Sequence, residues 1–138
     1  MIAEGPIRLQ ILTPQRLLIE TQVECILAPS IDGALMVLKD HAPMVAALDV
    51  GVFEFGTRED RRIAAVSGGV MLVQDNEVVV HADSAELAAD IDVARARRDL
   101  EKARESLRTR TSEREARMAE LELRKAVNRL KVAGEPIP

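Results

Sequence analysis

Apolar residues recur along the chain with two different periods, and the change falls near residue 84. Before it the period is two. IRLQIL sets Ile7, Leu9 and Ile11 against Arg8 and Gln10, VECILA sets Val23, Cys25 and Leu27 against Glu24, and GVFEF alternates about Glu54. VMLVQ and EVVVHA flank Asp75-Asn76, a natural hairpin turn. Breaker signals return about every eight to twelve residues, at Thr13-Pro14, Pro29-Ser30, Asp32-Gly33, Ala42-Pro43, Gly51, Gly56 and Gly68-Gly69. Many short strands at that spacing predict an antiparallel sandwich or barrel.

After residue 84 the steps become three and four. Val93, Ala96, Leu100, Ala103 and Leu107 form one narrow apolar stripe, and Ala116, Ala119, Leu123, Ala126 and Leu130 form another. The link RTRTS is short, with Ser112 and Glu115 spaced as a capping box for the second helix. Asp92 is placed to cap the first. A short connection between matching stripes predicts an antiparallel helical hairpin. Half of each stripe is alanine, which buries little area at about 25 cal/mol per Å². The hairpin is therefore expected to be weakly held and detachable, and the same periodicity fits a permanently docked hairpin equally well.

Composition narrows the core and the compartment. Trp and Tyr are absent and Phe53 and Phe55 are the only aromatics, so Val, Leu, Ile, Ala and Met must build the interior. Cys25 is the single cysteine, which excludes an internal disulfide and fits a reducing compartment. The opening MIAEGPIRL lacks the pattern of a signal peptide, and no apolar run approaches the ~18–20 residues of a membrane span. A soluble, cytosolic chain is expected. Charge divides as the periods do. Residues 1–91 carry 6 Lys/Arg and 14 Asp/Glu, a net of −8, whereas residues 92–138 carry 13 and 9, a net of +4. An acidic front and a basic back suggest two units with different partners.

Little in the chain is enzymatic. Phosphate-loop, dinucleotide and zinc-protease motifs are missing, and His41 and His81 have no cysteine pair with which to form a zinc site. Ser67 in VSGGV lacks the context of a nucleophile elbow. Nucleic-acid binding fits poorly too, since glutamates interleave the basic helices and no aromatic follows Phe55. The start of the first helix is harder to dismiss. Arg95, Arg97 and Arg98 crowd its positive end, where cations oppose the macrodipole by about 0.3–1 kcal/mol each. Folding the hairpin would bring Lys125 and Arg129, which share a face of helix two, towards Arg95. Three converging cations repel one another unless an anion sits among them, and the other reading is a splayed, solvated set.

Taken segment by segment, the chain resembles the epsilon-subunit family of F-type ATP synthases. The resemblance runs through LQILTPQRLLIETQVECILAPSIDGALMVL, HAPMVAALDVGV, IAAVSGGVMLVQDNEVVVHAD, IDVARA and KAVNRLKVA, in that order and over nearly the whole length. It implies a ten-stranded β-sandwich, residues 1–86, followed by a two-helix regulatory domain, residues 87–138. It also implies a non-catalytic rotor part that binds the gamma subunit and the c-ring and couples proton or sodium flow to ATP synthesis. The hairpin would enter the alpha/beta head and block hydrolysis. The complex places such a chain peripherally at the cytoplasmic face of the bacterial inner membrane. The alternative is a free-standing nucleotide-sensing module.

No cofactor is required on this resemblance, but some family members take regulatory ATP on the folded hairpin. Carried over by position, their site would comprise Glu86, Ile91, Asp92, Arg95 and Ala96 with Lys125 and Arg129. Arg95 and Arg129 would meet phosphates, Asp92 would cap and accept, and Glu86 would orient the arginines or the base. Position 125 is Lys where nucleotide-binding members tend to have Arg, which exchanges a bidentate fork for a point charge. The rotor contacts implied are Met36, Leu38, His41, Ala42 and Pro43. In that segment Lys39-Asp40 stand where the family usually carries Pro-Gly, and Met36 replaces a common glycine.

Overall fold

The computed structural model describes residues 5–138; residues 1–4, the start of the segment MIAEGPIRL read above for a signal peptide, lie outside them. The chain forms two compact units, one ending at Leu87 and the other spanning Ala88–Pro138.

The first unit contains eight strands: β1 Ile7–Leu12, β2 Leu17–Val23, β3 Cys25–Ser30, β4 Gly33–Leu38, β5 Met44–Gly56, β6 Arg61–Gln74, β7 Glu77–Ala82 and β8 Ala85–Leu87. Their order is β2-β1-β7-β6-β5-β3-β4, with β8 joined to β6. Two of them are long because each serves both layers. The first half of β5 pairs with the second half of β6 (Met44↔Val73 to Leu48↔Gly69), and the second half with the first (Val50↔Ser67 to Gly56↔Arg61). One layer is then β2, β1, β7 and these first-named halves; the other is β4, β3, the remaining halves and β8. Counted by halves, the ten segments expected are present as eight continuous strands.

The phase of burial records where the chain changes layer. In β5 the buried positions are Ala46 and Leu48, then Phe53 and Phe55, so even gives way to odd. In β6 they shift from Ala64 and Val66 to Met71 and Val73 across Gly68 and Gly69, whose φ values are 83° and 128°. A Cβ on Gly69 would lie 2.2 Å from the His81 carbonyl oxygen, so this bend needs glycine. These glycines bend a strand where the sequence pattern suggested breaks between strands. A third reversal corrects the reading of VECILA as one strand. Val23 is buried, but Ile26 and Ala28, not Cys25 and Leu27, point inward after it. The bend is at Glu24, whose N–H donates to the Gly56 carbonyl.

The inward residues of both layers form one cluster around Phe53 and Phe55, whose ring centroids are 6.1 Å apart. The sheet is mixed, not wholly antiparallel: β1 runs parallel to β7, from Arg8↔Glu77 to Leu12↔His81. Alternation along a strand is the same for either direction, so sequence pattern is blind to that choice.

The second unit opens with a 3-10 turn, Ala88–Asp90, followed by α1, Val93–Thr109, and α2, Glu113–Val132. The two helices pack through Ala96, Leu100, Ala126 and Leu130, flanked by Val93, Leu123 and Val127. Two of the four central residues are alanine, as the stripes predicted. None of the helices among the described residues is long and apolar enough to cross a membrane.

Candidate functional site

The caps fix where the hairpin begins and turns. Asp92 adopts an extended conformation, and its carboxylate accepts from the Arg95 N–H at 3.0 Å. At the second helix Ser112 Oγ accepts from the Glu115 N–H at 3.1 Å. The Glu115 carboxylate reaches back to the Thr111 N–H at 2.8 Å and hydroxyl at 2.9 Å, one residue before the position of an ordinary capping box. The Thr111 backbone and then its hydroxyl hold the Glu115 carboxyl below the usual range.

Between the helices lies a cleft of about 580 Å³, and Arg95, Asp99, Lys102, Met118, Glu122 and Arg129 are among its walls. Arg95 and Arg129 therefore face one space, as expected from the antiparallel register. The charges are more nearly matched than the three-cation picture supposed. Arg129 Nη1 stands 3.4 Å from Asp99 Oδ2, and Lys125 Nζ stands 3.4 Å from Glu122 Oε1. Among the described residues the Arg95 guanidinium has no ion pair. Ala96 is fully buried at the helix contact, which gives it a packing role beside the cap, and Ile91 is largely buried as well. Glu86 stands on β8, opposite Ala65 of β6, in the first unit.

The second candidate surface is on the sandwich. Met36 and Leu38 alternate outward on β4, each about half exposed (50% and 51%). Asp40 follows at φ 63°, a left-handed conformation that glycine adopts freely. Its backbone N–H donates to Asn76 Oδ1 at 2.7 Å, and Asn76 Nδ2 donates to Asp40 Oδ1 at 3.0 Å. This reciprocal pair ties the loop after β4 to the β6–β7 turn. His41, Ala42 and Pro43 line the shallow pocket beside it with Asp75 and Asn76. His41 Nδ1 lies 2.7 Å from the Ala42 carbonyl oxygen, which fixes the ring against its own loop.

A further outward patch was not anticipated. Val45, Val70 and Leu72 are 68%, 40% and 40% exposed, and the ladder sets Val45 opposite Leu72 and Leu72 opposite Val79. The clue was available: MVAAL and GGVMLV are apolar at nearly every position, where a strand with one solvated face should alternate.

Both units match known families. Residues 6–88 match the family model described as ATP synthase, Delta/Epsilon chain, beta-sandwich domain. Residues 89–134 match that of the Delta/Epsilon long alpha-helix domain. The chain is 40% identical over 130 residues to the ATP synthase epsilon chain of Moorella thermoacetica, covering 93% of this chain and 96% of the relative. It is 40% identical over 126 residues to that of Desulforamulus reducens, covering 91% and 96%. In fold it is similar to a chain of the Euglena gracilis mitochondrial ATP synthase, with a TM-score of 0.78 at 22% identity, covering 98% of this chain and 84% of the other.

Proposed function

The chain belongs to the ATP synthase delta/epsilon family, as a non-catalytic subunit, and on that premise we propose that it is a central-stalk rotor subunit whose hairpin regulates hydrolysis. Through the sandwich it binds the gamma subunit and the c-ring, so that ion flow is coupled to ATP synthesis. Through the hairpin it reaches the alpha/beta head. The complex holds it at the cytoplasmic face of the bacterial inner membrane.

The observation that carries this reading is apolar surface left outward on both layers: Met36 and Leu38 on one, Val45, Val70 and Leu72 on the other. Contiguous apolar surface on a small soluble domain marks an interaction site, and two such faces suit a part clamped between larger ones. The test is co-assembly. Leu72→Glu and Met36→Glu are expected each to keep the fold, yet to reduce recovery with the gamma subunit and c-ring complex. Full recovery of both variants would contradict the reading.

The hairpin cleft supports a regulatory ligand, since Arg95 and Arg129 face one space beside a helix N-terminus. We assign ATP to it, with Arg95 and Arg129 on phosphates, Asp92 as cap and Lys125 as a peripheral cation. Phosphate must draw Arg129 away from Asp99, so affinity should be modest. Calorimetric titration is expected to give saturable binding between micromolar and millimolar concentrations that Arg95→Ala abolishes. No heat at several millimolar would remove ATP while leaving the rotor assignment intact.

A further inference from the structure

After Val132 the chain does not leave the hairpin. Ala133 N–H donates to the Arg129 carbonyl at 2.9 Å, Gly134 N–H to that of Lys131 at 3.1 Å, and Glu135 N–H to that of Leu130 at 2.9 Å. Gly134, at φ 77°, reverses the direction, as glycine does after a helix end. The reversed segment lies along α1. There Arg97 Nη2 donates to Glu135 Oε2 at 3.0 Å, and Arg104 donates to the Pro138 carbonyl. Arg97 and Arg104 are seven residues apart, two turns of helix, and so share a face. It is a different face from that of Arg95, Asp99 and Lys102, which line the cleft.

We propose that residues 134–138 are a strap across α1 that biases the hairpin towards its closed form, with Arg97–Glu135 as the fastening. The buried cluster between the helices is small: four residues, two of them alanine, with Val93, Leu123 and Val127 at its flanks. An equilibrium held by so little apolar area responds to contributions that would be negligible in a large core. The strap also gives Arg97 and Arg104 a role: closure engages both, and opening releases Arg97 for an acidic partner while Arg104 keeps its ion pair with Glu101 one turn before it on α1. The inference goes beyond the function proposed above and does not depend on nucleotide binding, because it concerns only whether the hairpin opens.

The test is amide hydrogen exchange on the full chain at 50 mM salt, comparing wild type, Glu135→Arg, Arg97→Glu and the double exchange. Glu135→Arg should accelerate exchange of the Ala96, Leu100 and Ala103 amides by about two- to fivefold, the range of an exposed ion pair. The sandwich amides of Leu9 and Phe53 report folding and should not change. The four chains together isolate the coupling between positions 97 and 135, and the double exchange should return most of the lost protection. Unchanged α1 exchange in Glu135→Arg, or no coupling in the four-chain comparison, would overturn the strap.

Discussion

Single residues here carry conformations that composition would not suggest. Asp40 and Asn76 are held at φ 63° and 60°, where non-glycine residues cost about 1–2 kcal/mol, and the two hydrogen bonds between them offset part of that cost. Asp40→Gly should therefore be close to neutral, losing a side-chain bond while gaining a relaxed backbone. Asp40→Ala keeps the strain without the bond and should lose about 1–2 kcal/mol relative to Asp40→Gly, read from denaturant midpoints. The turn at Asp75-Asn76 was legible from its dipeptide alone. The partnership with Asp40 was not, because it joins residues 36 positions apart and leaves no periodic trace. Asp99 escaped for a similar reason: a stripe analysis counts apolar steps and passes over the carboxylate beside Leu100 that holds Arg129.

At the scale of elements, local signals are legible wherever one face meets water. The stripes and both caps, and with them the starts of α1 and α2, follow from spacing, because each helix has one buried side. Strands that change layer defeat the same logic, since the inward parity reverses at Glu24, at Asp49–Gly51 and at Gly68-Gly69. The start of α2 should respond to acid. Its Glu115 carboxyl titrates below the usual value because the ionised form accepts from Thr111. Its stabilising contribution is complete above the unfolded carboxyl value near ~4.3 and disappears as pH falls through the lower folded value. Exchange at the first amides of α2, followed from pH 6 towards 3, should show this loss in wild type and not in Glu115→Gln. Equal acid sensitivity would refute the assignment.

The whole molecule is two units with unequal reserves. Phe53 and Phe55 anchor a large cluster, whereas the hairpin relies on Leu100 and Leu130 with two alanines. Phe53→Ala should cost about 3–5 kcal/mol and unfold or nearly unfold the sandwich. Leu100→Ala, at about 2–5 kcal/mol, should melt the hairpin while leaving the sandwich transition in place. A two-step denaturation in that variant, with the upper step unchanged, is the expected trace. That inequality suits the proposed division of labour, with a rigid part that docks and a lightly held part that moves. The most direct measurement is a calorimetric titration of the full chain with the gamma subunit, run with and without ATP. Saturable binding of the same affinity in both, weakened by Leu72→Glu, is predicted for a rotor subunit. Absence of binding, or binding that requires ATP, would contradict it and favour a free-standing nucleotide sensor.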